Sequence, residues 1–168
     1  MPQIMPIAKE HIAGFREAIG SVARERAFLA RTETPSLEWA TEFVTGNIRR
    51  DLAQFVAVEA DMVVGWCDIR PGRLPGFEHS GTVGMGVLKE WRGRGLGRAL
   101  LEACIRKAFD RGLTRVDLEV FTSNGAAIAL YRRLGFVQEG IKRRARFLDG
   151  RYDDLLVMAL LREPGCQD

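Results

Sequence analysis

The chain has 168 residues, of which 46% are hydrophobic, and its 25 Lys and Arg against 22 Asp and Glu leave a net charge of +3. This composition supports a packed core in a single domain over residues 1–168, and it excludes a disordered or fibrous chain. The sequence lacks the ~20-residue apolar run of a membrane-spanning helix and the basic-then-apolar start of a secretory signal, so we expect a cytoplasmic protein with no membrane partner.

The cysteines Cys67, Cys104 and Cys166 are scattered, with no Cys-x-x-Cys pair and no neighbouring histidine. We therefore expect neither a disulfide framework nor a metal site, in keeping with a reducing compartment. A net charge of +3 over this length does not by itself indicate a nucleic-acid partner.

The first half of the chain predicts two helices followed by a hairpin. Apolar residues with a helical period predict an amphipathic helix over about 10–30. Thr34 and Pro35 suit the entry to a second helix, with Thr34 as its cap. The inner side of that helix would carry Trp39, Phe43, Val44 and Ile48. The other predicted elements are strands at 55–58 and 62–66, a hairpin turn at 59–61 and a loop at 71–76.

The second half predicts alternating strands and helices. Asp149-Gly150 is a strong hairpin signal between two extended arms. The order strand, helix, strand, helix, strand predicts an α/β fold with at least one parallel crossover. The predicted elements are a strand at 82–87, a helix from Gly95 to Phe109 stopped by Gly112, a strand at 116–120, a helix at 126–134 ended by Gly135, and arms at 136–147 and 152–161.

A glycine-rich turn, Arg92-Gly93-Arg94-Gly95-Leu96-Gly97, lies between a predicted strand and a predicted helix. Glycine lets the backbone fold tightly, and the first amides of a helix lack internal partners and lie at the positive end of its dipole. These features favour an anion site, most naturally for phosphate or pyrophosphate. A tight turn with a solvated basic edge fits the glycines equally well. The spacing matches neither the nucleotide-triphosphate loop nor the Gly-x-Gly-x-x-Gly dinucleotide motif.

Two segments, in the same order along the chain, resemble the GNAT family of N-acyltransferases. The turn at 92–97 is similar to the family's Arg-x-x-Gly-x-Gly loop for the pyrophosphate of coenzyme A. Residues 124–136 are similar to its Asn-x-x-Ala-x-x-x-Tyr-x-x-x-Gly-Phe signature. The resemblance covers 55–161 and implies a mixed, mostly antiparallel sheet flanked by helices. It also implies an enzyme that passes an acetyl group from acetyl-coenzyme A (acetyl-CoA) to a primary amine, in a family where homodimers are common.

The resemblance further implies which residues bind the cofactor. The strand at 83–87 would pair with the pantetheine arm, and the Val87 N–H is a candidate oxyanion donor. Gly84 and Gly86 would leave room for the acyl chain, although a glycine bulge at a sheet edge would look the same. Asn124 would hold the pantetheine amide or fix the turn. The implied cofactor-binding residues are Met85, Gly86, Val87, Arg92, Gly93, Arg94, Gly95, Leu96, Gly97, Arg98, Asn124 and Tyr131.

Three residues are candidates for the proton transfers that accompany attack of an amine on a thioester. The resemblance implies that the Tyr131 hydroxyl points at the sulfur and protonates the thiolate; the alternative is a tyrosine packed in the core. Glu119 matches the base of the branch that acetylates protein N-terminal amines. Its alternative is a rim glutamate paired with an arginine, and Asp117 is a weaker rival. His79 would relay a proton, or it is only a strand-end residue.

The densest charge run is Lys142-Arg143-Arg144-Ala145-Arg146. It would attract an anionic acceptor or RNA, but a solvated face is more typical, and the aromatics of a base-stacking surface are sparse around it. Residues 140–158 resemble family members that acetylate free amino acids and other small amines. We therefore expect a small-molecule amine acceptor and no nucleic acid. The alternatives are a protein or peptide N-terminal amine, or a non-catalytic acyl-CoA-binding module.

Overall fold

The structure, a computed structural model, describes residues 1–162, and Cys166 lies outside them. The α-helices are α1 (Ile12–Arg24), α2 (Leu37–Arg49), α3 (Leu96–Asp110) and α4 (Gly125–Arg133). The strands are β1 (Gln3–Pro6), β2 (Ala53–Glu59), β3 (Met62–Pro71), β4 (Ser80–Val87), β5 (Arg115–Phe121), β6 (Val137–Leu148) and β7 (Arg151–Leu161). None of the described helices is both long and apolar enough to cross a bilayer.

The strands form one sheet in the order β1-β2-β3-β4-β5-β7-β6. The pairs β1–β2, β2–β3, β5–β7 and β6–β7 are antiparallel. The pair β4–β5 is parallel, and α3 lies in the crossover between these strands. This confirms the predicted mixed, mostly antiparallel sheet with helices.

The chain divides into two compact units, and a single domain over 1–168 stays a prediction. The first unit comprises residues 1–70 and 84–111, and the second comprises, among the described residues, 71–83 and 112–162. In the first unit the core is built from α1, α2, β2 and β3, with Phe15, Val44 and Trp66 among its buried residues. The Phe15 and Trp66 rings meet edge-on at 6.2 Å between centroids.

Both described cysteines are reduced and buried in the first unit. The Cys104 thiol on α3 donates to the carbonyl of Cys67 on β3 at 3.1 Å. Burial raises the pKa of the Cys67 thiol well above its usual value, so this thiol is protonated at neutral pH. Within residues 1–162 no group of His, Cys, Asp and Glu could hold a metal ion.

The first half of the chain departs from prediction at three helix positions. The helix predicted over 10–30 ends at Arg24, because Arg26 takes a left-handed conformation with φ 57° and its N–H bonds back to Ala23. Thr34 is not the cap of α2; Ser36 is, and its Oγ accepts from the Trp39 N–H at 3.1 Å. Ile48 is exposed rather than on the inner side.

The strand β1 was not predicted. It is four residues long and pairs with β2 from Gln3↔Val58 to Pro6↔Phe55. A four-residue segment bounded by prolines carries too little alternation to predict a strand. Its position is set by pairing with residues more than 45 positions away, which the local pattern does not contain.

In the second unit, β5 lies between β4 and β7, and its alternation puts Val116, Leu118 and Val120 in the core. The predicted hairpin at Asp149 and Gly150 is confirmed, with φ 51° and 74° at the two turn residues. Strand β6 has register shifts at 138/140 and 142/146.

Candidate active site

The glycine-rich turn lies, as predicted, at the N-terminus of α3. Gly95 is the residue before the helix and has φ 82°, a left-handed conformation that glycine adopts without steric cost. The Ala99 N–H donates to the Gly95 carbonyl, which closes the first turn. The amides of Leu96, Gly97 and Arg98 precede that bond and lie at the positive end of the helix dipole. The geometry is that of an anion site.

The two arginines of the turn, and Arg98 directly after it, are engaged within the first unit. Arg92 pairs with Glu25, with Nη1 2.8 Å from a carboxylate oxygen, and its Nε donates to the Val87 carbonyl at 2.9 Å. Arg94 lies over the Trp91 ring at 4.9 Å. Arg98 pairs with Glu102 at 2.9 Å and is exposed. Arg92 therefore connects the turn to the C-terminus of α1 and to the end of β4.

The glycines of β4 serve packing in this structure. A Cβ built on Gly86 would lie 2.3 Å from Trp66 Cη2, and one built on Gly84 would lie 3.1 Å from the Asp68 carboxylate. The expectation that these glycines leave free room for an acyl chain is therefore wrong on this face, because two β3 side chains occupy the space. The backbone of Met85 and Val87 stays a predicted binding edge.

Gly86→Ala should destabilise the fold. The added methyl group would displace the Trp66 ring, and overpacking of this kind costs about 1–3 kcal/mol. Gly140→Ala is the matched control, because a Cβ at Gly140 meets nothing within 4 Å. Thermal unfolding followed by tryptophan fluorescence should show a lower Tm for Gly86→Ala only. Equal Tm values for the two variants would contradict the packing described here.

Asp68 is a buried carboxyl group that the sequence analysis did not single out. It lies in β3 within the apolar run Val63-Val64-Gly65-Trp66-Cys67-Asp68-Ile69 and is 3% exposed. Burial raises its pKa to about 7, and the Arg70 guanidinium, with Nε 2.9 Å from Oδ1, opposes that rise. An acidic residue inside a hydrophobic strand was the available signal, since an unpaired carboxylate is rarely buried without a function.

Asp68→Asn should stabilise the protein at neutral pH. The folded-state pKa of Asp68, about 7, lies above the ordinary aspartate value of 3.8, so the unfolded chain binds fewer protons between these values and stability falls as pH rises from 4 to 7. Three pH units correspond to an upper bound of about 4 kcal/mol. Urea unfolding at pH 4 and at pH 8 should show a gain for Asp68→Asn at pH 8 and little difference at pH 4. The same gain at both values would show that the carboxyl group is not the cause.

In the second unit, Tyr131 and Asn124 lie on α4. Tyr131 is buried, and its ring packs on Phe136 with 5.8 Å between centroids. The Asn124 side chain caps α4, because Oδ1 accepts from the Ala127 N–H at 3.2 Å. This matches the turn-fixing alternative for Asn124, while its amide NH₂ group is a donor that the cap does not use.

The base candidates Glu119 and His79 both lie at the surface. Glu119 lies on β5 with its side chain directed away from the core; it is 43% exposed and pairs with Lys142. This position matches the rim alternative for Glu119, with a lysine as the partner in place of an arginine. His79 is exposed, and its carbonyl accepts the N–H groups of Thr114 and Arg115. Its position is that of a strand-end residue.

Asp117 and the basic run of 142–146 are held by ion pairs and hydrogen bonds. Asp117 accepts from Thr82 at 2.9 Å and from Ser80 at 3.1 Å. Arg146 pairs with Asp153, and Arg144 lies over the Tyr152 ring at 5.0 Å. The other members of the run, including Arg143, are exposed, as expected for a solvated face.

Comparison with known proteins identifies the family of this chain. The model of the Acetyltransferase (GNAT) family matches residues 18–136. The chain is 46% identical over 83 residues to the N-alpha-acetyltransferase RimI of Mycobacterium tuberculosis, which covers 49% of this chain and 50% of that protein. It therefore spans about half the length of this relative.

Two further comparisons extend over more of the chain. The L-amino acid N-acetyltransferase AaaT of Escherichia coli is 32% identical over 116 residues, covering 68% of this chain and 71% of that protein. The crystal structure of a ribosomal-protein-alanine N-acetyltransferase from Brucella melitensis superposes with a TM-score of 0.88 at 26% identity, covering 95% of this chain and 99% of that one. With a family match over more than half of its length, the chain belongs to the acetyltransferase (GNAT) family, the enzymes that use acetyl-CoA as co-substrate.

Proposed function

We propose that this protein is an acetyl-CoA-dependent N-acetyltransferase that acetylates the primary amine of a small molecule such as an amino acid. The observation that carries the proposal is the turn at 92–97. The first amides of α3 have no partner within the helix, and the residue before them, Gly95, is left-handed, and a Cβ there would meet nothing within 4 Å. This arrangement suits a pyrophosphate group.

Each part of the proposed site has a separate task. The amides of Leu96, Gly97 and Arg98 bind the pyrophosphate, and the backbone of Met85 and Val87 pairs with the pantetheine arm. The Val87 N–H stabilises the oxyanion of the tetrahedral intermediate, where a positioned donor is most effective. Reaction proceeds by direct attack of the amine within a ternary complex, so no acyl group is passed to a protein side chain.

Proton transfer at the sulfur is assigned to Tyr131. The thiolate that leaves during collapse of the intermediate needs a proton, and a phenol of ordinary pKa, about 10, is matched to an alkyl thiol. Tyr131 is buried on α4, so its ring position is fixed by packing. The base candidates from the sequence, Glu119 and His79, are both exposed, and Glu119 is paired with Lys142.

The acceptor is proposed to be a free amino acid or a similar small amine. The supporting comparison is the amino-acid N-acetyltransferase AaaT, which aligns with 68% of this chain, against 49% for the N-alpha-acetyltransferase RimI. A protein or peptide N-terminal amine is the second candidate, since identity to RimI is higher within its shorter segment. In either case the attacking atom is an unprotonated nitrogen.

The test measures thiol release from acetyl-CoA with a panel of free amino acids, polyamines and short peptides. Turnover with free amino acids and not with peptides is expected. Faster turnover with peptides would instead identify a protein or peptide N-terminal amine as the acceptor. Tight binding of coenzyme A without thiol release for any amine would instead identify a non-catalytic acyl-CoA-binding module.

A further inference from the structure

Three polar side chains are buried among residues 1–162, and they form one row. Asn47 on α2, Gln54 on β2 and Asp68 on β3 are 7%, 2% and 3% exposed. Asn47 Nδ2 donates to Gln54 Oε1 at 2.8 Å, and Gln54 is the register partner of Asp68. Directly opposite residues of an antiparallel pair share one face of the sheet. The row therefore leads from the helix to the Asp68 carboxyl group.

The row contains two buried polar atoms that make no hydrogen bond, Gln54 Nε2 and Asp68 Oδ1. Such atoms are rare in folded proteins because each loses its bonds to water without replacement. Arg70 Nε lies 2.9 Å from Oδ1 as an ion pair, and the Arg70 side chain is 47% exposed against 4% for Asp68. Arg70 therefore lies between the Asp68 carboxyl group and solvent, and Asp68 Oδ1 can still accept a hydrogen bond.

Both carboxylate oxygens of Asp68 face β4. Oδ2 lies 3.1 Å and Oδ1 lies 3.2 Å from the position that a Cβ on Gly84 would take, so the carboxyl group packs against the backbone of that strand. Gly84 directly precedes the segment Met85–Val87, to which the proposed function assigns the pantetheine arm and the oxyanion. A buried carboxyl group thus lies beside the strand on which the thioester is expected to be held.

We propose that Asp68 accepts the proton that the ammonium group of the acceptor must lose before it attacks. This rests on the proposed acetyl transfer. The acceptor displaces the Arg70 guanidinium, an N–H bond of the ammonium breaks, and the proton goes to the Asp68 carboxylate. The nitrogen lone pair then forms the C–N bond to the thioester carbonyl carbon, and the C–S bond breaks with its electron pair on sulfur. Asp68 returns its proton to water. Tyr131 gives its hydroxyl proton to the sulfur and is reprotonated by the second proton that the nitrogen loses.

The chemistry of Asp68 fits this task better than that of the exposed candidates. Burial raises the pKa of Asp68 to about 7, and a general base acts best when its pKa lies near the working pH. Glu119 is exposed and paired with Lys142. Among the described residues the charged group facing Asp68 is Arg70, and the adjacent Cys67 thiol stays neutral because burial raises its pKa.

The test is the pH profile of kcat/KM for Asp68→Asn, measured as thiol release with acetyl-CoA and the most rapidly acetylated amine of the panel. The wild type should rise to a plateau with an inflection near pH 7. Asp68→Asn should fall by roughly 10²–10⁴-fold at pH 7. It should lose the inflection and gain about tenfold per pH unit up to the pKa of the amine, because only free amine then reacts. The affinity for acetyl-CoA should not change.

Asp61→Asn, in the exposed turn of the same β2–β3 hairpin, is the matched control and should keep the wild-type profile. Arg70→Gln provides an independent readout, because the guanidinium lowers the pKa of Asp68 and its loss should move the inflection to higher pH. This variant decides the question even if Asp68→Asn does not fold.

An Asp68→Asn profile parallel to that of the wild type, or an inflection unmoved in Arg70→Gln, overturns the assignment of Asp68 and leaves the proposed function standing. A wild-type protein that releases no thiol with any amine overturns the proposed function, and this inference with it.

Discussion

Gly95→Val is expected to abolish binding of acetyl-CoA. Gly95 has φ 82°, a conformation that costs an L-residue about 1–2 kcal/mol and a β-branched residue more. The chain would relax by rotating the neighbouring peptide units, so the amides of Leu96, Gly97 and Arg98 would no longer converge. The isopropyl group would also enter space in which nothing lies within 4 Å, the space proposed for phosphate. Calorimetric titration with coenzyme A should show affinity lower by roughly 100-fold or more, the loss of two charge-assisted hydrogen bonds.

The matched control lies at the other end of the same helix. Gly112 has φ 95°, and a Cβ there also meets nothing within 4 Å. Gly112→Val therefore imposes comparable backbone strain after the C-terminus of α3, where the dipole repels anions. Both variants should lose similar stability, and only Gly95→Val should lose the ligand. Equal affinity in the two variants would show that the turn at 92–97 does not hold the pyrophosphate.

The elements predicted from the sequence are those with strong local signals. Gly95 and Gly112 mark the two ends of α3, because each end requires a left-handed residue. Asp149 and Gly150 determine the β6–β7 hairpin for the same reason. The helix of Tyr131 follows from Asn124 as cap and Gly135 as stop. The motifs that identified the family lie in these locally determined segments, which is why sequence alone was sufficient for them.

Features that depend on distant contacts were not predictable in this way. Ser36 and Thr34 are both good caps in sequence, but Ser36 caps α2, whereas the Thr34 hydroxyl accepts from Arg24 and packs against Gly20. The pair between Arg92 and Glu25 joins residues 67 positions apart. Both residues look like ordinary surface charges in the sequence. The tie between α1 and the turn therefore appeared only in the structure.

The buried row of Asn47, Gln54 and Asp68 also depends on contacts between distant residues. Asp68 is visible in the sequence as an acid within an apolar strand, but its partners come from α2 and β2. A buried carboxyl group with a raised pKa lowers the stability of the fold at neutral pH. An apolar residue would pack there without that cost. The buried position of this acid is therefore better explained by chemistry than by folding.

Tyr131→Phe is expected to lower kcat by roughly one to three decades with little change in affinity for acetyl-CoA. The substitution removes only the hydroxyl group, and a positioned acid contributes an effect of this size or larger. The ring packing on Phe136 is kept, because the two rings meet at 5.8 Å through their apolar faces and edges. Thiol release at saturating amine measures the loss, and direct titration with coenzyme A measures affinity.

The chain contains one other tyrosine, which supplies the control. Tyr152 lies exposed on β7 beside Phe147, with 4.8 Å between ring centroids. Tyr152→Phe removes a hydroxyl group that is already in contact with water and should leave turnover unchanged. If Tyr131→Phe also keeps full turnover across the pH range, the thiolate takes its proton from water and Tyr131 is only a packing residue. A loss confined to Tyr131→Phe, with unchanged affinity, places its hydroxyl group at the departing sulfur, because a purely structural defect would weaken binding as well.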